Sequence, residues 1–273
     1  MLQARTWLAR TEGSIRLDVA RRGHRSHIDV LHQAGAARVR FPRAEGASLE
    51  AVLINTAGGL TGGDRIDITV ALAPYSEVML TSAAAEKIYR ARDQHAAAIR
   101  MRFRLLAGAS LHWLPQPTIL FDAARLDRRT EVELAGDSRM LAVEILLFGR
   151  AAMGEQMRRG AIRDAWRVRR DGALIFADSL RLDGAIADTL ERKALLGGAR
   201  AAGLLLYVAP DAANRLAEAR ARLQGANSLA GASTWNGLLA VRAVAKEGWA
   251  LQQDMAALVE WLSARPLPRV WRC

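Results

Sequence analysis

At 273 residues, 51% hydrophobic and 25% charged, with a formal net charge of +11, the chain can bury a sizeable core, and its 5% aromatic content is poor for an RNA surface built on base stacking. Of its 39 lysines and arginines only Lys87, Lys193 and Lys246 are lysines, and the basic residues form no block of five or six, so the charge suits acidic protein surfaces as well as nucleic acid. One cysteine, Cys273, excludes an intramolecular disulfide, residues 1–12 carry no apolar signal core, and the longest apolar run, 201–210, is too short to span a bilayer; these point to a soluble cytoplasmic protein.

Alternation and turn residues predict strands at 14–20, 28–33, 37–41 and 49–55. The stretch Asn55-Thr56-Ala57-Gly58-Gly59-Leu60-Thr61-Gly62-Gly63-Asp64 then breaks the pattern. Four glycines in six positions are incompatible with a strand or helix interior and mark a shaped loop. Gly63 is followed by Asp64 rather than by Lys-Ser/Thr, which excludes a phosphate-cradling P-loop. A carboxylate there suits a cation or a hydrogen-bond donor.

Ile66, Ile68, Val70 and Leu72 alternate with Asp67, Thr69 and Ala71, and Ile99, Met101, Phe103 and Leu105 alternate with arginines; both segments read as half-buried strands. Further strands are predicted at 77–82, 110–114, 128–134, 139–148, 161–169 and 174–182. A loose repeat, Leu-Ala-x-x-Ser, starts at Leu72, Leu106 and Leu134, with a fourth turn of the same kind at Arg170-Asp171-Gly172-Ala173. Strand–turn–strand units at this spacing fit stacked β layers; an ordinary sandwich with similar turns fits as well.

Helices come late. A short one is predicted within 186–196, one from a cap at Asp211 to about Leu223, and one at 251–262 with Met255, Leu258, Val259 and Leu262 on one stripe. Residues 225–237, rich in Gly, Ala, Ser and Asn, read as a loop. The tail is apolar enough for Trp271 to dock on the body.

Three carboxylates stand out by position. Asp178 shares a strand face with Leu174, Phe176, Leu180 and Leu182; Glu144 interrupts the apolar run 141–148; Asp64 closes the glycine loop. A buried carboxylate without a partner costs several kcal/mol or changes its pKa, so Glu144 and Asp178 are expected to pair with arginine, to be hydrogen-bonded, or to face an internal water-filled space. His24 and His27 are the only close histidine pair, and no Cys/His spacing resembles a zinc site. Ser82 and Thr81 lie in no recognisable nucleophile elbow.

As a set, these segments resemble a known family. Gly58-Gly59-Leu60-Thr61-Gly62-Gly63-Asp64 is similar to the glycine motif of the urease accessory protein UreD, called UreH in some bacteria. Glu86-Lys87-Ile88-Tyr89-Arg90, the Trp113-Leu114-Pro115-Gln116 block with Phe121, Glu144 with Phe148-Gly149-Arg150 and Gly154-Glu155, and Leu267-Pro268-Arg269-Val270-Trp271 resemble its following blocks in order. The agreement covers about 14–183 and the C-terminus; 184–235 matches loosely.

The resemblance implies a mainly β fold, a spiral of stacked layers with a small helical portion towards the C-terminus. It implies one domain over 1–273, with a β body at about 14–183, helices and loops at about 184–265 and a docked tail at 266–273. It implies a non-enzyme that joins UreF and the GTPase UreG, docks on the urease apoprotein and assists nickel delivery, with no nucleic acid or membrane partner. No tightly bound cofactor or metal is expected, only transient nickel(II). Asp64, Glu144 and Asp178 are the expected nickel-path residues; Asp178 falls where the family has Glu, beside Ser179 where it has Arg. Gly58, Gly59, Gly62 and Gly63 form the motif loop, and Glu86, Lys87, Tyr89, Arg90, Gln116, Arg150 and Trp271 are structural or partner contacts. Sparse carboxylates hold nickel(II) weakly enough to pass it on, whereas a closed four-ligand site would trap it. The alternatives are a pure scaffold, a basic nucleic-acid binder and a carbohydrate-active enzyme. A scaffold needs apolar contact patches, expected on the tail with Trp271 and the late helices, and poor solubility of the chain alone.

Overall fold

A computed structural model describes residues 10–43, 46–150 and 153–272; Cys273 and most of the 1–12 segment lie outside them. The chain opens with β1 (Glu12–Arg22), β2 (Arg25–Gly35), β3 (Ala37–Arg40) and β4 (Leu49–Asn55). The glycine loop leads to β5 (Arg65–Leu72), β6 (Glu77–Ser82) and β7 (Glu86–Ile88). Next come β8 (Ala97–Leu105), β9 (Ser110–Leu114), β10 (Thr118–Leu120), β11 (Ala124–Leu134) and β12 (Arg139–Phe148). After β13 (Arg159–Arg170) and β14 (Ala173–Ala185) the chain runs through α1 (Ile186–Leu190), β15 (Ala201–Val208), α2 (Leu216–Leu223), β16 (Leu229–Trp235), β17 (Leu238–Ala245) and α3 (Gly248–Ser263).

Two sheets face each other. The first has the order β14-β13-β11-β8-β5-β1-β2 and is parallel from β13 to β1, with antiparallel edges. The second has the order β16-β17-β15-β12-β9-β6-β4-β3 and is parallel from β12 to β4. From β4 to β13 the long strands alternate between the sheets, so β5–β6, β8–β9 and β11–β12 are stacked coils and the solenoid reading holds. The Leu-Ala-x-x-Ser repeat is the corner of each coil. Corners bond to one another, as in Ser110 N–H to Ser76 O (2.9 Å) and Arg139 N–H to Ala109 O (2.8 Å). Asp137 and Asp171 each accept from a glycine N–H one coil back, Gly108 and Gly136. The short strands β7 and β10 line a further corner, where β10 pairs with both β7 and β12.

In-register stacking puts one inward residue per coil on each rung. One rung runs Gly13, Ile66, Ile99, Arg128, Asp164, Leu180; the next runs Ile15, Ile68, Met101, Thr130, Trp166, Asp178. The interior between the sheets is apolar around Leu17, Val70, Phe103 and Leu126. A second core lies on the outer face of the second sheet, where Leu141, Val143, Ile145 and Leu205 meet Met255, Leu258 and Leu262 of α3.

Several expectations need correction after residue 184. The apolar run 201–208 is β15, and the predicted loop at 225–237 contains β16 paired with β17. β15 shows no alternation because both of its faces are covered. The β16–β17 turn is Asn236-Gly237, both at positive φ (47° and 73°), the two-residue hairpin geometry that Asn-Gly favours. Asp211 does not cap the helix: its carboxylate accepts from Tyr207 Oη–H and Arg215 Nε–H (2.8 Å each), and α2 begins only at Leu216 after a 3-10 turn at Ala213–Arg215. Trp271 does dock, donating Nε1–H to Leu114 O at 2.9 Å. Because it is buried, it is not an exposed partner contact.

Candidate functional site

The glycine loop carries the chain from β4 to β5 across the corner made by β7. Leu60 pairs with Ile88, donating to Lys87 O (2.8 Å) and accepting from Tyr89 N–H (2.7 Å). Tyr89 Oη–H donates to Gly58 O at 3.1 Å. A Cβ on Gly59 would lie 2.5 Å from the Tyr89 ring and 2.8 Å from Lys87 O, and one on Gly62 would lie 2.5 Å from His95 O, so these glycines permit close stacking. Gly58 and Gly63 sit at positive φ. Asp64, buried at the loop's end, takes Thr11 N–H at 2.8 Å on one oxygen and Thr61 N–H at 2.7 Å on the other. The donors that the sequence called for are backbone amides.

Other motif residues gather on the same corner. Tyr89 meets Phe121 edge-on at 4.9 Å, and the Arg150 guanidinium lies over Phe121 at 4.4 Å while its Nε–H donates to Glu155 at 2.5 Å. Arg90 is 3.6 Å from Asp122, and its carbonyl accepts from Thr61 Oγ1–H. Lys87 is exposed. Gln116 ties down the C-terminus by donating Nε2–H to Val270 O at 2.8 Å.

Next to this corner lies an interior cavity of about 190 Å³. Ile66, Ile68, Ile99 and Met101 form its apolar wall; Asn55, Ser82, Glu86, Lys87, Gln116, Thr118, Arg128 and Glu144 form its polar one. Arg128 projects inward from β11, because its parity matches Leu126, Thr130 and Val132. The guanidinium grips Asp164 with two N–H groups, one from Nε at 3.0 Å and one from Nη2. It also reaches Glu144 Oε1 at 2.7 Å and donates to Thr118 Oγ1 at 3.0 Å. The other Glu144 oxygen accepts from Trp166 Nε1–H at 3.1 Å. Glu86 accepts from the Asn55 amide at 3.0 Å and 3.3 Å.

Burial pushes Glu144 well above the usual carboxylate range; Arg128 pulls the other way and Asp164 adds to the rise. Burial likewise raises Glu86, against the Asn55 amide and the Lys87 backbone N–H. For Arg128 burial opposes the charge, but Asp164 and Glu144 outweigh it and hold the proton more firmly than usual. Two carboxylates, Glu144 and Asp164, thus contact one guanidinium, and Glu86 acts on it only through space.

Of the three expected path residues, only Glu144 faces the cavity. Asp64 is in the corner, and Asp178 lies at the junction of the sheets, bonded to Arg242 of β17 at 2.8 Å. Sequence reasoning missed Arg128, Asp164 and Trp166, although period two marks all three: residues 124, 126, 128, 130, 132 and 134 share one face, as do 162, 164, 166 and 168. Among the described residues no three of His, Cys, Asp and Glu are arranged to hold a metal ion, and no helix is long and apolar enough to cross a membrane.

A family model described as UreD urease accessory protein matches residues 11–272, nearly the whole chain. This chain belongs to the UreD family of urease accessory proteins. Relatives carrying that name include proteins of Azorhizobium caulinodans (46% identical over 96% of this chain and 96% of the relative) and Xanthobacter autotrophicus (48%, over 96% and 90%). One named UreD 1, of Methylobacterium radiotolerans, is 49% identical over 96% and 92%. In this chain the residues of the UreD glycine motif build a corner of the fold, and the cavity with a polar wall lies beside it.

Proposed function

We propose that this chain is a non-catalytic, cytoplasmic scaffold of urease maturation that docks on apo-urease with UreF and UreG, and that its interior cavity is a segment of the path along which nickel(II) travels. The carrying observation is the cavity itself: a space between the sheets that opens to the surface near Lys87 and whose polar wall carries Glu144 and Glu86 beside Arg128. Oxygen ligands without imidazole or thiolate bind nickel(II) weakly, which suits passage rather than storage. Asp64 and Asp178 hold the walls, the first through the corner and the second through Arg242. Leu229 at the start of β16 and Trp249 in the first turn of α3, 80% and 61% exposed, offer apolar contact to partner proteins.

The test is urease activity and nickel content in cells that carry the matching urease operon with this chain replaced by Glu144→Gln or Glu86→Gln. The conduit reading expects nickel-poor urease although the complex with UreF, UreG and urease still co-purifies. Fully loaded urease with both variants would leave the scaffold role alone standing.

A further inference from the structure

We propose that the outer face of the first sheet, over β13 and β14, is a docking surface for an acidic protein partner, whose carboxylates supply the ion pairs that Arg163, Arg167 and Arg181 lack within the chain. The inference deepens the scaffold part of the proposed function and rests on it for the identity of the partner.

Three observations carry it. First, the two sheets differ in cover. α3 packs a core onto the outer face of the second sheet. Beside the first sheet stands only the short α1, which follows directly on β14 and buries Ile186 and Leu190 in the interior core.

Second, ion pairing on the outer face stops part-way across. The β1–β5 half sets Arg16 and Arg65 against Glu12, Asp18 and Asp67, and both arginines are paired, at 2.7 Å and 2.6 Å. On β11, Asp127 and Glu131 stand in register beside Arg163 and Arg167 of β13. They turn the other way, to Arg100 at 2.8 Å and Arg102 at 3.7 Å, both on β8. The side chains of Arg163, Arg167 and Arg181 are exposed and make no hydrogen bond, ion pair or ring contact among the described residues. Rotating side chains does not remove the surplus. Arg163, Arg167, Arg169 and Arg181 face outward from β13 and β14 against one outward carboxylate, Asp183.

Third, the pattern opposes folding of the chain alone. Arg163 and Arg181 stand directly opposite each other across the β13–β14 pair, and like charges so placed destabilise a sheet. The next rungs are small: Ala165 faces Ser179, and Ala177 faces Arg167. The arginines therefore stand around a shallow floor that a flat surface can reach. Leu174, opposite Arg169 and 47% exposed, extends the face with an apolar edge.

Arginines around small and apolar residues are the chemistry of a protein interface, and the guanidinium fork takes a carboxylate in two bonds. A polyphosphate chain crossing this face would run past Asp127, Glu131 and Asp183, and the outer faces of β8, β11, β13 and β14 carry no aromatic ring to stack a base. Sheet geometry sets the partner's pattern, with carboxylates about 5 Å apart across the strands and about 13 Å apart along β13.

The test is co-purification of UreF, UreG and apo-urease with the tagged full chain at low and at high salt. It compares the native protein with three variants that change its net charge equally: Arg181→Glu, Arg163→Gln with Arg167→Gln, and, in the paired half, Arg16→Gln with Arg65→Gln. We expect the first two to lower retention of one and the same partner at least about ten-fold, and the third to change it less than about two-fold. High salt should weaken native retention of that partner. Arg181→Glu should unfold at a temperature no lower than the native chain, because it turns a like-charge pair into an opposite-charge one. Equal retention by all three variants, or equal losses, overturns the proposal. So does a lowered unfolding temperature for Arg181→Glu, which would make the arginines structural. Duplex DNA held by the native chain and lost by the first two variants, with the proteins still bound, would give the face to nucleic acid instead. Native retention of none of the three partners would sink the scaffold reading and this surface with it; native retention that all the variants share would sink the surface and leave the scaffold standing.

Discussion

The glycine-loop corner and the interior cavity each bury a carboxylate to nearly the same degree, Asp64 at 4% exposure and Glu144 at 8%, yet they satisfy it by different means. Both oxygens of Asp64 are consumed by backbone N–H groups, Thr11 on one side and Thr61 on the other, which cannot move without unmaking the corner. Glu144 is held by side chains, Arg128 and Trp166, and it borders free space. A carboxylate bonded to backbone is part of the fold. One bonded to a long side chain beside a cavity can exchange partners. Burial alone does not distinguish the two; the identity of the donor does.

The contrast breaks most severely at Arg128. Arg128→Ala strands Asp164 and Glu144 without a cation and should cost about 3–5 kcal/mol of stability, read by urea unfolding. A loss below about 1 kcal/mol would mean that the rung relaxes or that the carboxylates take up protons at no cost. At the corner, Asp64→Asn keeps one acceptor and turns an amide against the other N–H. A loss of roughly 1–3 kcal/mol is expected, with unchanged urease nickel content per folded complex. Nickel loss without destabilisation would move Asp64 from the architecture into the path.

Glu144→Gln should reverse that pattern, with a stability change of about 1 kcal/mol and a large loss of nickel loading. It also has a pH signature. Glu144 has a raised pKa in the folded chain, so the folded state holds a proton that the unfolded state releases. Its contribution is full below the usual glutamate value of 4.5 and is lost as pH rises through the raised folded value. Stability measured from pH 5 upward should therefore fall less steeply in Glu144→Gln than in the native chain; identical slopes would show that Glu144 is ionised throughout. The smallest effect is expected for Asp178→Asn. Its pair with Arg242 is partly exposed, with side-chain exposures of 36% and 54%, and should contribute under about 1 kcal/mol. A loss comparable to that at Asp64 would make the sheet junction a third load-carrying carboxylate site.

Much of the β body was legible because its strands bury one face and expose the other. Residues 66–72 and 99–105 alternate cleanly, and the Leu-Ala-x-x-Ser corners recur because each must bond to the one below. Legibility failed where both faces are covered, at β15, and where small residues suit an edge strand, at β16, although Asn236-Gly237 announced that hairpin. It also failed at Asp211, whose cap-like position before a helix was taken by Tyr207 and Arg215. At the site, Glu144 was conspicuous because it interrupts an apolar run. Arg128 was hidden among its neighbours Arg125 and Arg129, although its strand parity pointed inward.

The strand-rich body, the corner repeat, the family and the need of Glu144 for a partner can be read along the chain, because periodicity, turn chemistry, ordered motifs and the cost of burying charge are local properties. Which partner each carboxylate has is set in three dimensions. Asp164 is 36 residues from Arg128 and Trp166 is 22 from Glu144. They meet because parallel strands stack in register and because the second sheet closes over the first, and pairing across coils and between sheets leaves no mark on residues adjacent in the chain.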